Sequence, residues 1–204
     1  MNSRERRPQA GRNLKLASSL AAVILASSLP APSATAADDQ WAPLSSKTEL
    51  RAGALVHDVP FTGPGIEYGG VDLNLEAVFP RLPIFQDTRF RSLVPRPQIG
   101  GTANFSGKTS YAYLGGVWTW KISRSWFFEP IAGVGFHNGK IDVPKYEDRL
   151  SLGCNPLFHI GASAGYRITD QWAVMASWEH LSNANLCKRN EGLNEIGVKV
   201  SRSF

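Results

Sequence analysis

Over most of its length this chain alternates. From Val71 it reads VDLNLEAVF, with Val71, Leu73, Leu75, Ala77 and Phe79 on one side of an extended backbone and Asp72, Asn74 and Glu76 on the other. Side chains on a strand point to opposite faces in turn, so a period of two writes a β-strand with one apolar and one polar face. The pattern recurs. Ala112–Ile122 puts Ala112, Leu114, Trp118, Trp120 and Ile122 on one face, and Trp126–Phe136 does the same with Trp126, Phe128, Ala132, Val134 and Phe136. Phe158–Ile168 and the last strand, with Ile196, Val198, Val200 and Phe204, follow suit. Leu50–Val56, Gln171–Ser182 and a weaker, proline-bearing segment near Gln98–Asn104 bring the count to eight. No stretch after the first 36 residues approaches the run of about 18 apolar residues that a spanning helix needs. Eight strands of about ten residues suit the smallest common closed antiparallel barrel.

The composition of the two faces says which side is out. The apolar face is aromatic and branched, whereas the opposite face holds Gly, Ser, Asn, Asp and Glu. A soluble β-sandwich or lipocalin-like barrel would turn the apolar face inward and leave small polar residues to water. Here Trp118, Trp120, Trp126, Trp172 and Trp178 fall toward strand ends, as an interfacial girdle does. The chain closes on an aromatic, Phe204, although Arg202 interrupts the apolar face just before it. These features predict an all-β, eight-stranded antiparallel transmembrane β-barrel in a bacterial outer membrane. Asp72, Glu76, Glu129, His159 and Glu179 then fill the interior, which disfavours a transport pore. His57 and His137, near strand ends, are expected to be solvated.

Residues 1–36 are set apart from this pattern. Arg4, Arg6, Arg7, Arg12 and Lys15 form a basic start, Leu16–Leu29 is apolar and small, and Ala34-Thr35-Ala36 is a cleavage signal. The segment is expected to be a signal peptide, which assigns the barrel to residues 37–204. It also carries five of the 22 basic residues and one of the 17 acidic ones, leaving 17 and 16 and a net of +1. The basic character lies mostly in the leader, and no nucleic-acid partner follows from it.

Loop lengths orient the barrel. Thr169-Asp170 and Lys121–Ser125 are short and suit periplasmic turns, whereas Asp58–Glu67, Asn138–Asn155 and Asn183–Leu193 suit external loops. Both termini are then periplasmic. The long stretch Pro80–Pro97 falls on the periplasmic side as well, against the trend. Cys154 and Cys187 lie in two different external loops and are expected to pair in an oxidising compartment. Neither their spacing nor any histidine makes a metal site.

One stretch stands out chemically. In QWAVMASWEHLS the even positions run Trp172, Val174, Ala176, Trp178, His180 and Ser182, so a base and a hydroxyl continue a lipid-facing side. Polar groups there are ordinary at headgroup depth, but an ionisable residue facing lipid is also a functional-site candidate. His180-Leu181-Ser182-Asn183-Ala184, followed by Asn190-Glu191-Gly192-Leu193-Asn194 and a final amphipathic strand, resembles the lipid A 3-O-deacylase (PagL-type) family of outer-membrane enzymes.

That resemblance implies an ester hydrolase acting on lipid A of lipopolysaccharide in the outer leaflet, embedded in the membrane as one chain or as a homodimer, without metal or cofactor. Ser182 matches the nucleophile and His180 the general base. Asn183, Asn190 and Gly192 match oxyanion and substrate positions. The acid is where the chain departs. The family carries Glu two residues after the glycine, and here that position is Asn194, on the same outward face by parity. Three outcomes stay open: Asn194 orients the imidazole through its carbonyl, Glu191 reaches over from the loop, or the barrel is a non-catalytic one with a structural or surface-interaction role.

Overall fold

The computed structural model describes residues 46–60, 67–84, 92–143 and 148–204. The expected signal peptide lies outside these residues. Nine assigned strands run in chain order: β1 Glu49–Val56, β2 Val71–Val78, β3 Arg96–Asn104, β4 Tyr111–Val117, β5 Trp120–Lys121, β6 Trp126–His137, β7 Leu157–Arg167, β8 Trp172–Ser182 and β9 Leu193–Ser203. Every neighbour pair is antiparallel, β1 pairs with β9, and β4 pairs with β6, so the sheet closes on itself.

β4 and β5 are one strand of an eight-stranded barrel. Val117 faces Ile131 and Trp120 faces Phe128 in a single continuous register. Between them stands Pro130, which has no N–H to give to the ladder. Only the bond from Trp118 N to Pro130 O, at 3.1 Å, survives there. The gap between the two segments is therefore a missing donor and not a turn.

Burial follows parity. On β8, Trp172, Val174 and Ala176 are exposed, while Met175, Ser177, Glu179 and Leu181 are buried. The same alternation puts Leu73, Leu75, Ile99, Leu114, Phe136, Ile160, Val198 and Val200 outside. Such a belt is far more apolar surface than a soluble monomer leaves in water, and it matches the hydrocarbon of a bilayer. At the end with the short connections, Trp120, Trp126, Trp172 and Tyr166 form the aromatic rim. There the Trp126 and Tyr166 rings meet edge-on at 5.1 Å. Arg202 belongs to this rim. Its guanidinium lies 5.4 Å from the Trp172 ring centre and 5.0 Å from that of Phe204, so the charge is stacked at the interface instead of facing hydrocarbon. The connection after β2 lies at this end too, where Phe79 N donates to Pro97 O at 2.8 Å.

The interior is a charge network. Arg51 meets Glu49, Glu76 and Glu129 at 2.8, 3.0 and 2.9 Å, and Arg96 pairs with Glu49. Lys199 joins Glu76, at 2.7 Å, to Glu179. Tyr113 Oη donates to Glu76 at 2.8 Å, and His159 Nε2 sits 3.1 Å from Glu179. Each buried ion alone costs several kcal/mol, which only partners on every side offset. The network cements the strands from within and fills the lumen with paired side chains.

The extracellular loops cap this core. Leu150 and Leu152 drop from the β6–β7 loop onto Leu157, Leu181, Leu193, Tyr111 and Tyr113. Glu67 ties three loops, accepting from Thr109 N at 2.9 Å and Leu150 N at 3.2 Å and pairing with Arg149 at 2.9 Å. The expectation of solvated histidines at strand ends fails under this cap. His57 and His137 are both buried. His57 Nδ1 bonds Asp72 at 2.6 Å with Glu195 at 3.7 Å, and His137 Nε2 reaches Cys154 O at 2.9 Å. Burial alone would lower the His57 pKa, but its bonds to Asp72 and Glu195 outweigh it and raise the pKa to about 9.

Candidate active site

β8 and β9 are hydrogen-bonded neighbours, and their register sets the site. His180 lies directly opposite Asn194, and Leu181 opposite Leu193. The next step toward the loop brings Ser182 level with Gly192. Alternation turns His180 and Ser182 to the outer wall, both partly exposed, at the extracellular ends of their strands.

His180 Nδ1 is 2.9 Å from Asn194 Oδ1. An amide oxygen only accepts, so Nδ1 carries the proton and donates. That tautomer leaves Nε2 with its lone pair, as a general base requires. The ring is held on two further sides. Trp178, two residues back on the same face, stacks on it with centroids 6.0 Å apart and planes 19° from parallel. Gly192 lies against the opposite edge. A Cβ there would sit 2.6 Å from His180 Cε1 and 3.3 Å from Nε2, so only glycine fits. The Cε1–Nε2 edge therefore faces Gly192, while Nδ1 faces Asn194. Asn194 is buried, at 3% exposure, so its carbonyl is shielded from competing water.

The loop that follows Ser182 is built to stay put. Ala184 and Asn185 both have positive φ, 53° and 63°, and Leu186 N donates to Asn183 O at 3.0 Å. These are the marks of a type I′ turn. For alanine the left-handed conformation costs about 1 kcal/mol, which the surroundings must offset. Asn183 supplies the hold. Its Nδ2 donates to Leu152 O at 2.8 Å and to Arg189 O at 2.5 Å, and its backbone N donates to Asn190 Oδ1 at 2.8 Å. Cys154 and Cys187 are joined, tying the β6–β7 loop to this one. Gly153 makes the close approach possible, because at φ 86° a Cβ would fall 1.8 Å from Arg189 O.

The residues singled out from the sequence thus divide. His180, Asn194 and Gly192 are in direct contact, with Ser182 one register step away. Glu191 is turned aside: Ser151 N donates to its carboxylate at 2.6 Å, and its own N donates to Ser151 O at 3.1 Å. The Asn183 amide is committed to loop carbonyls. Asn190 keeps a half-exposed amide whose Nδ2 reaches Asn185 Oδ1 at 3.2 Å. Three contributors went unread in the sequence. Trp178 looked like one more lipid-facing aromatic, and Ser151 and Leu152 carry no motif at all. Only the glycine before Cys154 hinted that backbone meets backbone there.

The comparisons with known proteins bear on the family and the fold. A family model described as lipid A 3-O-deacylase (PagL) matches residues 88–203. Among solved structures, one titled as the outer membrane enzyme PagL superposes with a TM-score of 0.52 at 18% identity, covering 76% of this chain and 98% of that one. The N-terminal β-barrel domain of Pseudomonas aeruginosa OprF gives 0.51 at 11% identity, covering 78% and 98%. A de novo designed transmembrane β-barrel gives 0.50 at 14%, covering 78% and 96%. At such identities these structures speak for the fold alone. No curated protein matches the chain.

Proposed function

We propose that this chain, which belongs to the lipid A 3-O-deacylase (PagL) family, hydrolyses the ester that holds the 3-O-linked acyl chain of lipid A, with Ser182 as nucleophile and His180 as general base. The observation that carries this reading is the His180–Asn194 hydrogen bond, which leaves Nε2 with its lone pair on the face of β8 that also carries Ser182.

The steps follow from that tautomer. Ser182 Oγ attacks the ester carbonyl carbon while its proton passes to His180 Nε2. The tetrahedral intermediate collapses, the bond to the sugar oxygen breaks, and the imidazolium returns the proton to the leaving hydroxyl. Water then attacks the acyl-serine, again giving its proton to Nε2, and the fatty acid leaves with Ser182 restored. Asn194 holds the ring and its tautomer but adds no negative charge to balance the imidazolium, so the chain is expected to be slower than a relative with a carboxylate there. Asn190, whose amide keeps one N–H free of its bond to Asn185, is the oxyanion donor best placed beside the start of the loop. One such donor is worth about 3–4 kcal/mol in acyl-transfer enzymes.

Access also favours a lipid substrate. The interior is filled and capped, so nothing reaches Ser182 through the barrel, whereas a lipid of the outer leaflet meets the outer wall by lateral diffusion. The test is expression in a Gram-negative host followed by mass spectrometry of lipid A. The unmodified protein should remove one hydroxyacyl chain and Ser182→Ala should remove none, with folding checked by heat-modifiable gel mobility. Unchanged lipid A across several acyl-chain lengths would leave a structural barrel with a decayed site, the reading that the loss of the acid at Asn194 favours.

A further inference from the structure

Among the described residues, most charged groups of the extracellular end have a partner. Lys108 meets Asp148 at 2.6 Å, Arg149 meets Glu67 at 2.9 Å, and Arg189 meets Asp142 at 3.0 Å. Glu191 is taken by Ser151 N. Among the described residues of these loops, Lys140 and Lys188 are exposed cations with no acidic partner.

The backbone brings both to the corner that holds the site. Leu152 N donates to Lys140 O at 2.9 Å, and Leu152 O accepts from Asn183, the residue after Ser182. Lys188 follows Cys187, which is bonded to Cys154, two residues past Leu152. Two residues before Lys188 stands Leu186, which is 77% exposed at the end of the turn. An exposed leucine and an unpaired lysine on one short, anchored loop suit a boundary where apolar chains meet anionic headgroups.

Resting on the deacylase reading above, we infer that Lys140 and Lys188 form a clamp for a phosphate of the lipid A headgroup. The chemistry fits. Lipid A is a phosphorylated disaccharide whose ester-linked chains begin at the sugar. When an ester carbonyl lies at Ser182, the sugar lies above it at loop height and its phosphates lie beside these ammonium groups. Lysine suits the task because it is a compact charge on a flexible stem and does not require one orientation of the phosphate. Arg189, held by Asp142, is the less available cation. The clamp sets which lipids are held at the site, while Ser182 and His180 act on them.

The test separates binding from turnover. In the Ser182→Ala background, binding of lipid A carrying both phosphates and of enzymatically dephosphorylated lipid A is measured in detergent micelles by native mass spectrometry. The phosphorylated lipid should bind more tightly, by about fivefold per lysine engaged, and added salt should shrink the difference. Lys140→Gln with Lys188→Gln should abolish the preference and leave binding of the dephosphorylated lipid unchanged. On the active protein the same double variant should raise KM for phosphorylated lipid A with kcat within about twofold. Equal binding of the two lipids by Ser182→Ala would overturn the clamp. So would an equal loss for both lipids in the double variant, since that marks loop damage. Competition by millimolar inorganic phosphate as effective as that by lipid would mark a general anion site and also overturn it. If the unmodified protein released no acyl chain yet kept the phosphate preference, the hydrolase reading would fall and the clamp would stand.

Discussion

Glu179 and His180 are consecutive on β8, and Asn194 and Glu195 are consecutive on β9. Across one ladder Glu179 faces Glu195 and His180 faces Asn194. The inner pair is densely partnered. Glu179 is held by Lys199 and by His159 at 3.1 Å, and Tyr111 Oη lies 2.9 Å from Glu179 and 2.8 Å from Glu195. The outer pair carries no carboxylate, is joined by one hydrogen bond, and leaves the second ring nitrogen of His180 with its lone pair. The contrast teaches what separates a structural polar group from a reactive one in this barrel. Inside, charge is tolerated because every ion has partners, and no group there is left with a lone pair facing a reactant. Outside, the membrane edge penalises an unpaired carboxylate, and the neutral Asn194 avoids that penalty at the expense of transition-state charge balance.

If the two faces differ in this way, mutations should divide cleanly between them. His180→Ala should reduce acyl release by at least about a thousandfold, with the unfolding midpoint in urea unchanged. Lys199→Met should do the reverse. It removes the buried cation that Glu76 and Glu179 share in the lumen, so the barrel should lose about 3–5 kcal/mol of stability while the folded fraction keeps its turnover. A large drop in turnover per folded molecule would break the contrast.

His57, beyond the end of β1 under the loop cap, sharpens it by pH. Its pKa rises from 6.5 to about 9 in the folded chain. Below the lower value both states hold the proton and the stabilisation is complete. Between the two the unfolded chain releases it first, so stability should fall as pH climbs through that window, by about 3 kcal/mol in all. Urea midpoints across this range should show the slope, and His57→Gln should remove it.

Smaller effects probe the outer pair. Gly192→Ala places a methyl against His180 Cε1 and should cut turnover by about ten- to a hundredfold with little change in stability. Asn194→Asp keeps the reach of the side chain and adds charge. It should raise the rate by about tenfold and move the acid limb of the pH profile to higher pH, because the carboxylate stabilises the imidazolium. Glu191→Gln should change the rate by less than about twofold, because that carboxylate is spent on Ser151 N. A severe loss there would move the acid from Asn194 to Glu191.

The closed barrel, the outward side of each strand and the strand face of the candidate site were legible in the chain because each depends on a local rule. A period of two decides the face of Val174, Trp178, His180 and Asn194 whatever the rest of the molecule does, and short connections at Thr169-Asp170 and Lys121–Ser125 decide which end is which. What stood open was non-local. That Asn194 and not Glu191 meets His180 depends on the register between β8 and β9 and on Ser151, which sits some forty residues away in another loop. That Asn183 braces the loop depends on Leu152 O, and that His57 is buried and charged depends on Asp72, Glu195 and the cap above them. Parity is written into each residue's place along its own strand. Hydrogen-bond partners are settled only when the loops fold over the mouth of the barrel and each donor finds the nearest unpaired acceptor.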